Sequence, residues 1–134
     1  MRAHEGPATH YAELRAVYPI LDVRDVDAAL RFYVERLGFE VDFRYETDPN
    51  NYAGVRRDGV RLHMQWQEEE HFRKGTAGRL RLRILVDDPD ALLAEYRSRN
   101  VVTESTAVRD TDWGTREFAF HDPDGNGLIF YRDR

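Results

Sequence analysis

One segment of this chain is written twice. Val86, Asp88, Asp90, Ala91, Leu93, Tyr96 and Arg99 repeat Val23, Asp25, Asp27, Ala28, Leu30, Tyr33 and Arg36 at a constant offset of 63 positions. A second pair of landmarks, the Asp58-Gly59 and Asp124-Gly125 turns, repeats at an offset of 66, so a short insertion separates two copies of one unit. In each copy a strand precedes the helix and three strands follow it, giving β-α-β-β-β. A unit of about 50 residues buries too little surface to stand alone, so the two copies must pair. With 134 residues and 41% hydrophobic content, the chain suits one compact domain and not two independent ones. The expected fold class is α+β, built from paired βαβββ modules. Module one covers about 16–67, module two about 79–132, and 1–15 form an N-terminal arm.

The local signals run as follows. Residues 17–23 are an apolar strand with Pro19 near its start. Asp25 stands where an N-cap belongs, Val26, Ala29, Leu30, Tyr33, Val34 and Leu37 keep helical spacing, and Gly38 ends the helix as a C′ residue. Strands are expected at 39–45, 52–57 and 60–66, with a turn at 46–51. Residues 67–78, with Glu68, Glu69, Glu70, Lys74, Gly75 and Gly78, read as a polar connector. Then Leu80, Leu82, Ile84 and Val86 alternate with Arg79, Arg81 and Arg83, a strand with one wet face. Asp88-Pro89-Asp90 opens a second helix with proline in its first turn. A strand is expected at 103–109, and a closing hairpin pairs 116–121 with 128–131 around the turn formers of 122–126.

Composition excludes several classes. The chain has no cysteine, which removes disulfide and thiolate chemistry. No apolar run approaches the roughly 20 residues of a membrane span, and the N-terminus lacks the apolar core of a signal peptide, so a cytoplasmic location is expected. The net charge of -5 argues against nucleic acid as a partner and is compatible with a cationic ligand.

Several stretches together resemble a known family. They are Pro19-Ile20-Leu21, Phe32-Tyr33-Val34-Glu35-Arg36-Leu37-Gly38-Phe39, Tyr52-Ala53-Gly54-Val55-Arg56, Arg116-Glu117-Phe118-Ala119 and Asp122-Pro123-Asp124-Gly125-Asn126. Their order and spacing over 17–132 are similar to the bleomycin resistance proteins of the glyoxalase, bleomycin resistance and dioxygenase superfamily, also called vicinal oxygen chelate proteins. The resemblance implies mixed sheets that curl around a cleft, in a homodimer whose clefts lie between the subunits. It also implies sequestration of a cationic, bithiazole-bearing antibiotic, with aromatic rings stacking on its flat heterocycles.

The superfamily's enzymes hold a divalent metal with four side chains, and on this sequence the resemblance lays those positions on Tyr18, His63, Arg79 and Ile129. His63 alone is a suitable ligand, and an arginine in the shell would set positive charge beside a cation. His4, His10, His71 and His121 show no ligand spacing. No metal or other cofactor is therefore expected, and His63 reads as a pocket-lining or hydrogen-bonded strand histidine. Without the metal, chelation of two substrate oxygens is lost, and no Ser-His-Asp grouping or phosphate loop replaces it. A cleft that binds without catalysing is left, whereas a superfamily lyase or dioxygenase and a non-catalytic interaction module remain the alternatives.

Matched to the family's motifs, Asp42, Phe43, Tyr52, His63 and Trp113 are the candidate ligand-binding residues. Tyrosine and tryptophan offer large rigid faces, and a carboxylate such as Asp42 can pair with a ligand amine. Each aromatic also has a plainer reading as core packing. Trp113 stands one residue further from Arg116 than the family's tryptophan does from its arginine. Arg79, Arg81 and Arg83 share one strand face, which points to solvent or to the cleft; in the cleft they would repel a cationic drug and favour a neutral or anionic ligand.

Overall fold

The computed structural model describes residues 10–75 and 80–134. The first module runs β1 (Ile20–Val23), α1 (Val26–Arg31) continuing into a π-helical segment (Phe32–Arg36), β2 (Glu40–Arg44), β3 (Tyr52–Arg57) and β4 (Val60–Trp66). After a short helix, α2 (Glu69–Arg73), the second module runs β5 (Arg81–Leu85), α3 (Pro89–Ser98), β6 (Arg109–Asp110), β7 (Thr115–His121) and β8 (Gly127–Asp133). The two four-stranded sheets have one topology, β1-β4-β3-β2 and β5-β8-β7-β6. In each, the first strand pairs parallel to the last and the other pairings are antiparallel. The expected α+β architecture of paired βαβββ modules is the one observed, with the sheets open and not closed into a barrel.

The repeat has a physical cause at each landmark. The side chains of Asp25 and Asp88 accept hydrogen bonds from the amides of Ala28 at 2.9 Å and Ala91 at 3.0 Å, capping both helices. Gly38 takes φ +80, which a β-carbon would oppose, and lets the chain leave the first helix toward β2. Parallel register places Ile20 beside His63 in the first sheet and Arg83 beside Ile129 in the second.

Three expectations are corrected. The strand expected at 103–109 is confined to Arg109–Asp110, because the Thr103 and Ser105 hydroxyls bond each other at 2.6 Å and the Thr106 amide turns back to the Thr103 carbonyl. The polar connector contains α2, whose Phe72 is buried. The first strand begins at Ile20, and Val17 is almost fully exposed. Of the sequence-level assignments, Arg79, Gly78, His4 and most of the N-terminal arm lie outside the described residues.

The modules meet on their helix-bearing faces. A continuous buried cluster joins Leu21, Leu30 and Leu37 of the first to Leu92, Phe118 and Phe130 of the second. The equivalent tyrosines of the repeat are both buried here, and each sends its hydroxyl across the seam. Tyr33 donates to Asp122 Oδ2 at 2.8 Å and Tyr96 donates to the Leu37 carbonyl at 3.0 Å. Burial first, and then the Asp122 carboxylate, pushes Tyr33 well above its ordinary pKa; burial pushes Tyr96 up to about 12. Arg57 forms a two-pronged ion pair with Glu95, 2.9 Å on each arm, and its guanidinium also reaches the Leu37 carbonyl at 2.8 Å.

Asp122 is the polar centre of the seam. It also accepts from the backbone amides of Asp124 and Asn126 and from Asn126 Nδ2, whose amide group reaches the Asp22 carbonyl at 3.1 Å. Removing the one hydroxyl in Tyr33→Phe is expected to cost about 2 kcal/mol of unfolding free energy, and Asp122→Ala about 3 kcal/mol or more because several buried donors lose their acceptor. Urea unfolding of the two variants measures the difference; equal losses would show that the carboxylate does not organise the seam.

Candidate functional site

The strand period of two leaves each sheet a second face, directed away from the seam. On the first sheet, Tyr52, Gly54 and Arg56 of β3 lie opposite Gln65, His63 and Arg61 of β4, and Ile20 lies beside His63. A bulge in β2 supplies the rest: Val41 pairs with Val55 and Phe43 already pairs with Gly54, so one extra residue fits between them. That extra residue is Asp42, and the bulge turns two consecutive side chains, Asp42 and Phe43, onto one face.

These residues form an aromatic cluster. Phe43 stacks on Tyr52 with centroids 6.0 Å apart, Tyr45 stacks on Tyr52 at 5.1 Å, and both Phe43 and Tyr52 meet His63 edge-on at 5.0 Å and 5.5 Å. Tyr18 stacks on the other side of His63 at 5.3 Å. The Phe43 ring rests directly on the bare Gly54, where an added β-carbon would lie 2.3 Å from Phe43 Cε1. The Tyr52 hydroxyl sits 2.8 Å from His63 Nδ1. Desolvation, and then neighbouring Tyr45, raises the Tyr52 pKa above its ordinary value, which keeps the hydroxyl protonated beside the ring.

The structure thus brings Phe43, Tyr52 and His63 together, with Asp42 at their edge. Asp42 is not a free carboxylate, since Arg61 Nη1 donates to its Oδ2 at 2.9 Å. A ligand amine would have to compete with that guanidinium. Trp113 is not brought to the cluster in this chain. It stands in the turn between β6 and β7 of the other sheet, 61% exposed, with the Arg109 guanidinium 5.4 Å from its ring centre. Tyr45, 53% exposed, was missed by sequence reasoning, although its period-two offset from Phe43 signals it, as the glycine within a strand signals a close approach at Gly54.

The second sheet's outward face is different in kind. Arg81 and Arg83 point onto it, while Leu82 and Ile84 pack against the core. Arg83 lies 4.2 Å over the Tyr131 ring and 3.5 Å from the buried Glu117, which also receives a 2.7 Å hydrogen bond from Thr115. The parallel register also revises the four-position mapping. Because His63 corresponds to Ile129 and Ile20 to Arg83, the counterpart of Tyr18 is Arg81 and not Arg79. Tyrosine, histidine, arginine and isoleucine make a poor donor set for a divalent cation. Among the described residues no group of three or more His, Asp or Glu side chains converges to hold one.

This paired-module fold, with an aromatic cluster on an outer sheet face, defines a class. Residues 9–130 match the Glyoxalase/Bleomycin resistance protein/Dioxygenase superfamily, and the chain belongs to it. The bleomycin resistance protein of Geobacillus stearothermophilus is 26% identical over 127 residues, spanning 85% of this chain and 93% of its own length. Among solved structures, the bleomycin-binding protein of the bleomycin producer Streptomyces verticillus, complexed with copper(II)-bleomycin, is similar with a TM-score of 0.72 and 35% identity, covering 92% of this chain and 100% of that one. A bleomycin resistance determinant encoded on the transposon Tn5 shares the fold at a TM-score of 0.72 and 23% identity, covering 90% of this chain and 99% of its own.

A methyl group at residue 54 tests the cluster's construction. Gly54→Ala is expected to swing the half-buried Phe43 ring off the sheet, at a stability cost of about 1 kcal/mol because the ring can move into solvent. The near-ultraviolet circular dichroism of the tyrosines should change while the far-ultraviolet spectrum does not. An unaltered aromatic signal would show that Phe43 does not rest on Gly54.

Proposed function

We propose that this protein reversibly sequesters a flat, partly aromatic antibiotic of the bleomycin type, without a metal of its own, in clefts between the subunits of a cytoplasmic homodimer. The observation that carries this reading is the aromatic cluster of Phe43, Tyr45 and Tyr52 on a sheet face that the core leaves free. The Streptomyces verticillus relative, whose structure contains copper(II)-bleomycin, supports the choice of ligand. Planar heterocycles stacked on such rings gain about 0.5 to 1.5 kcal/mol each beyond area burial.

A cleft between subunits accounts for Trp113. Setting the second sheet of a partner across the first sheet adds a half-exposed indole to a site that already holds tyrosines, and surrounds a flat ligand on both sides. The same arrangement brings in Arg81 and Arg83. Their positive charge favours a second reading, in which the ligand is planar but neutral or anionic.

Calorimetric titration with metal-free and copper-loaded bleomycin separates these readings. Heat of binding is expected with at least one form, and Tyr52→Ala and Trp113→Ala should each weaken it by about 1 to 3 kcal/mol, the range of a lost aromatic anchor. Absence of heat at about 100 μM protein, a concentration that detects micromolar affinity, would rule out the antibiotic. If the site lies between subunits, the binding species sediments as a dimer.

Metal independence has its own check. Protein purified without chelator or a metal-affinity tag is expected to carry no stoichiometric zinc, nickel, iron or manganese on elemental analysis. A bound equivalent would restore the chelate enzymes as the functional class.

A further inference from the structure

Among the described residues, one helix of the first module has no counterpart in the second. At the end of the first module, α2 lies beside the end of β1, the start of α1 and the β7–β8 turn. Phe72 is buried there and the Arg24 guanidinium lies 4.1 Å over its ring. Arg24 also pairs with Glu69 at 3.0 Å and with Asp124 at 3.5 Å, and its amide donates to Asp124 at 3.0 Å. The repeat offsets carry Arg24 onto Asp87 and the helix cap Asp25 onto Asp88 in the second module, and Asp124-Gly125 onto Asp58-Gly59 in the first. No described helix occupies the place equivalent to α2. A cavity of about 560 Å³ lies there instead, walled by Val60, Ile84, Val86, Leu92, Tyr96 and Phe130 and rimmed by Asp58, Asp87, Asp88 and Glu95.

We propose that this cavity is a second binding site, for a small organic cation with an aromatic or alkyl body, such as an arylalkylammonium. Its volume is that of a small-molecule site, and its walls are apolar with a few polar groups at the rim. The first module shows what fills the equivalent space: an aromatic ring with a cation on its face, the cation held by a carboxylate of the hairpin turn. Among the described residues this place has the carboxylates but no counterpart of the Phe72 ring or of the Arg24 guanidinium. Arg57, the one cation among the lining residues, is committed to Glu95 and the Leu37 carbonyl. Asp87 has no ion pair among the described residues, and Asp58 has a single contact of 4.0 Å with Arg57 Nε. A ligand ammonium offsets the repulsion between these carboxylates while its body covers Val86 and Leu92. The site lies between the modules, apart from the outer sheet faces, and does not depend on what those faces bind.

The test is an amide-resolved NMR titration of the full chain with phenethylammonium and, in parallel, phenylacetate. Phenethylammonium should shift the amides of Gly59, Val60, Asp87 and Leu92 saturably and leave Phe43 and Tyr52 unmoved, and phenylacetate should shift none of them. Asp87→Asn should weaken binding about three- to five-fold, as the loss of one exposed charge does. Asp87→Arg, which installs the charge that Arg24 carries in the first module, should abolish it with the rest of the spectrum intact. Equal shifts with phenylacetate, full affinity in Asp87→Arg, or shifts confined to the outer sheet face would overturn the proposal. So would contacts between Leu14 or Val17 and the Val86 or Leu92 methyls in the ligand-free protein, because the chain itself would then fill the space.

Discussion

A four-stranded sheet with one short helix has more apolar surface on its inner face than that helix covers, and the structure turns on how this surplus is buried. Each module solves the problem with the other. Burial of a large side chain such as Tyr33 or Tyr96 contributes about 1.5 to 3 kcal/mol. Of the hydroxyls crossing the seam, that of Tyr96 on a neutral carbonyl adds about 0.5 to 1.5 kcal/mol in net terms and that of Tyr33 on the Asp122 carboxylate about 1.5 to 3 kcal/mol, two bonds set against a whole buried apolar cluster. Apolar contact therefore drives the pairing, and the polar groups decide its register, because each of these buried hydroxyls would be costly unpaired. The repeat makes the seam reciprocal: Arg36 donates to the Arg99 carbonyl, and Arg99 donates back to the Glu35 carbonyl. Both guanidiniums thus meet carbonyls at the end of the opposing helix, where a cation is electrostatically favoured.

Committing the inner faces to the seam leaves the outer faces free for chemistry, and there the two copies have diverged. The first sheet carries rings packed on a bare glycine; the second carries guanidiniums, one of them stacked on Tyr131 and tied to a buried carboxylate. The seam also diverges at its ends, with Arg24 and Phe72 closing one and Asp87 lining the cavity at the other.

Much of this was legible in the chain. The helix caps, the glycine that ends the first helix, the Asp-Gly turns and the alternation of β3, β4 and β5 are local: each depends on residues within a few positions of one another, and side-chain geometry at that range is nearly independent of the rest of the fold. The repeat then supplied the topology, since two copies of one unit with one apolar face each have few ways to pair. Phe43, Tyr52 and His63 were identifiable through the family resemblance, by the motifs in which they stand. Tyr45 was not singled out, although its offset of two from Phe43 turns it the same way.

What only the tertiary structure decided involves partners far apart in sequence. The bulge that turns Asp42 and Phe43 to the same side is a property of the β2–β3 register, and the engagement of Asp42 by Arg61 needs β2 and β4 on one sheet face. Whether Arg81 and Arg83 face the core or the outside depended on which residues of β5 the seam would bury. The connector forms a helix because Phe72 finds a place to bury once β1 and the distant β7–β8 turn have come together, and no signal within five residues encodes that. Local preference settles what each segment is; the burial of its side chains, which is a property of the assembled core, settles where it points and what it can meet.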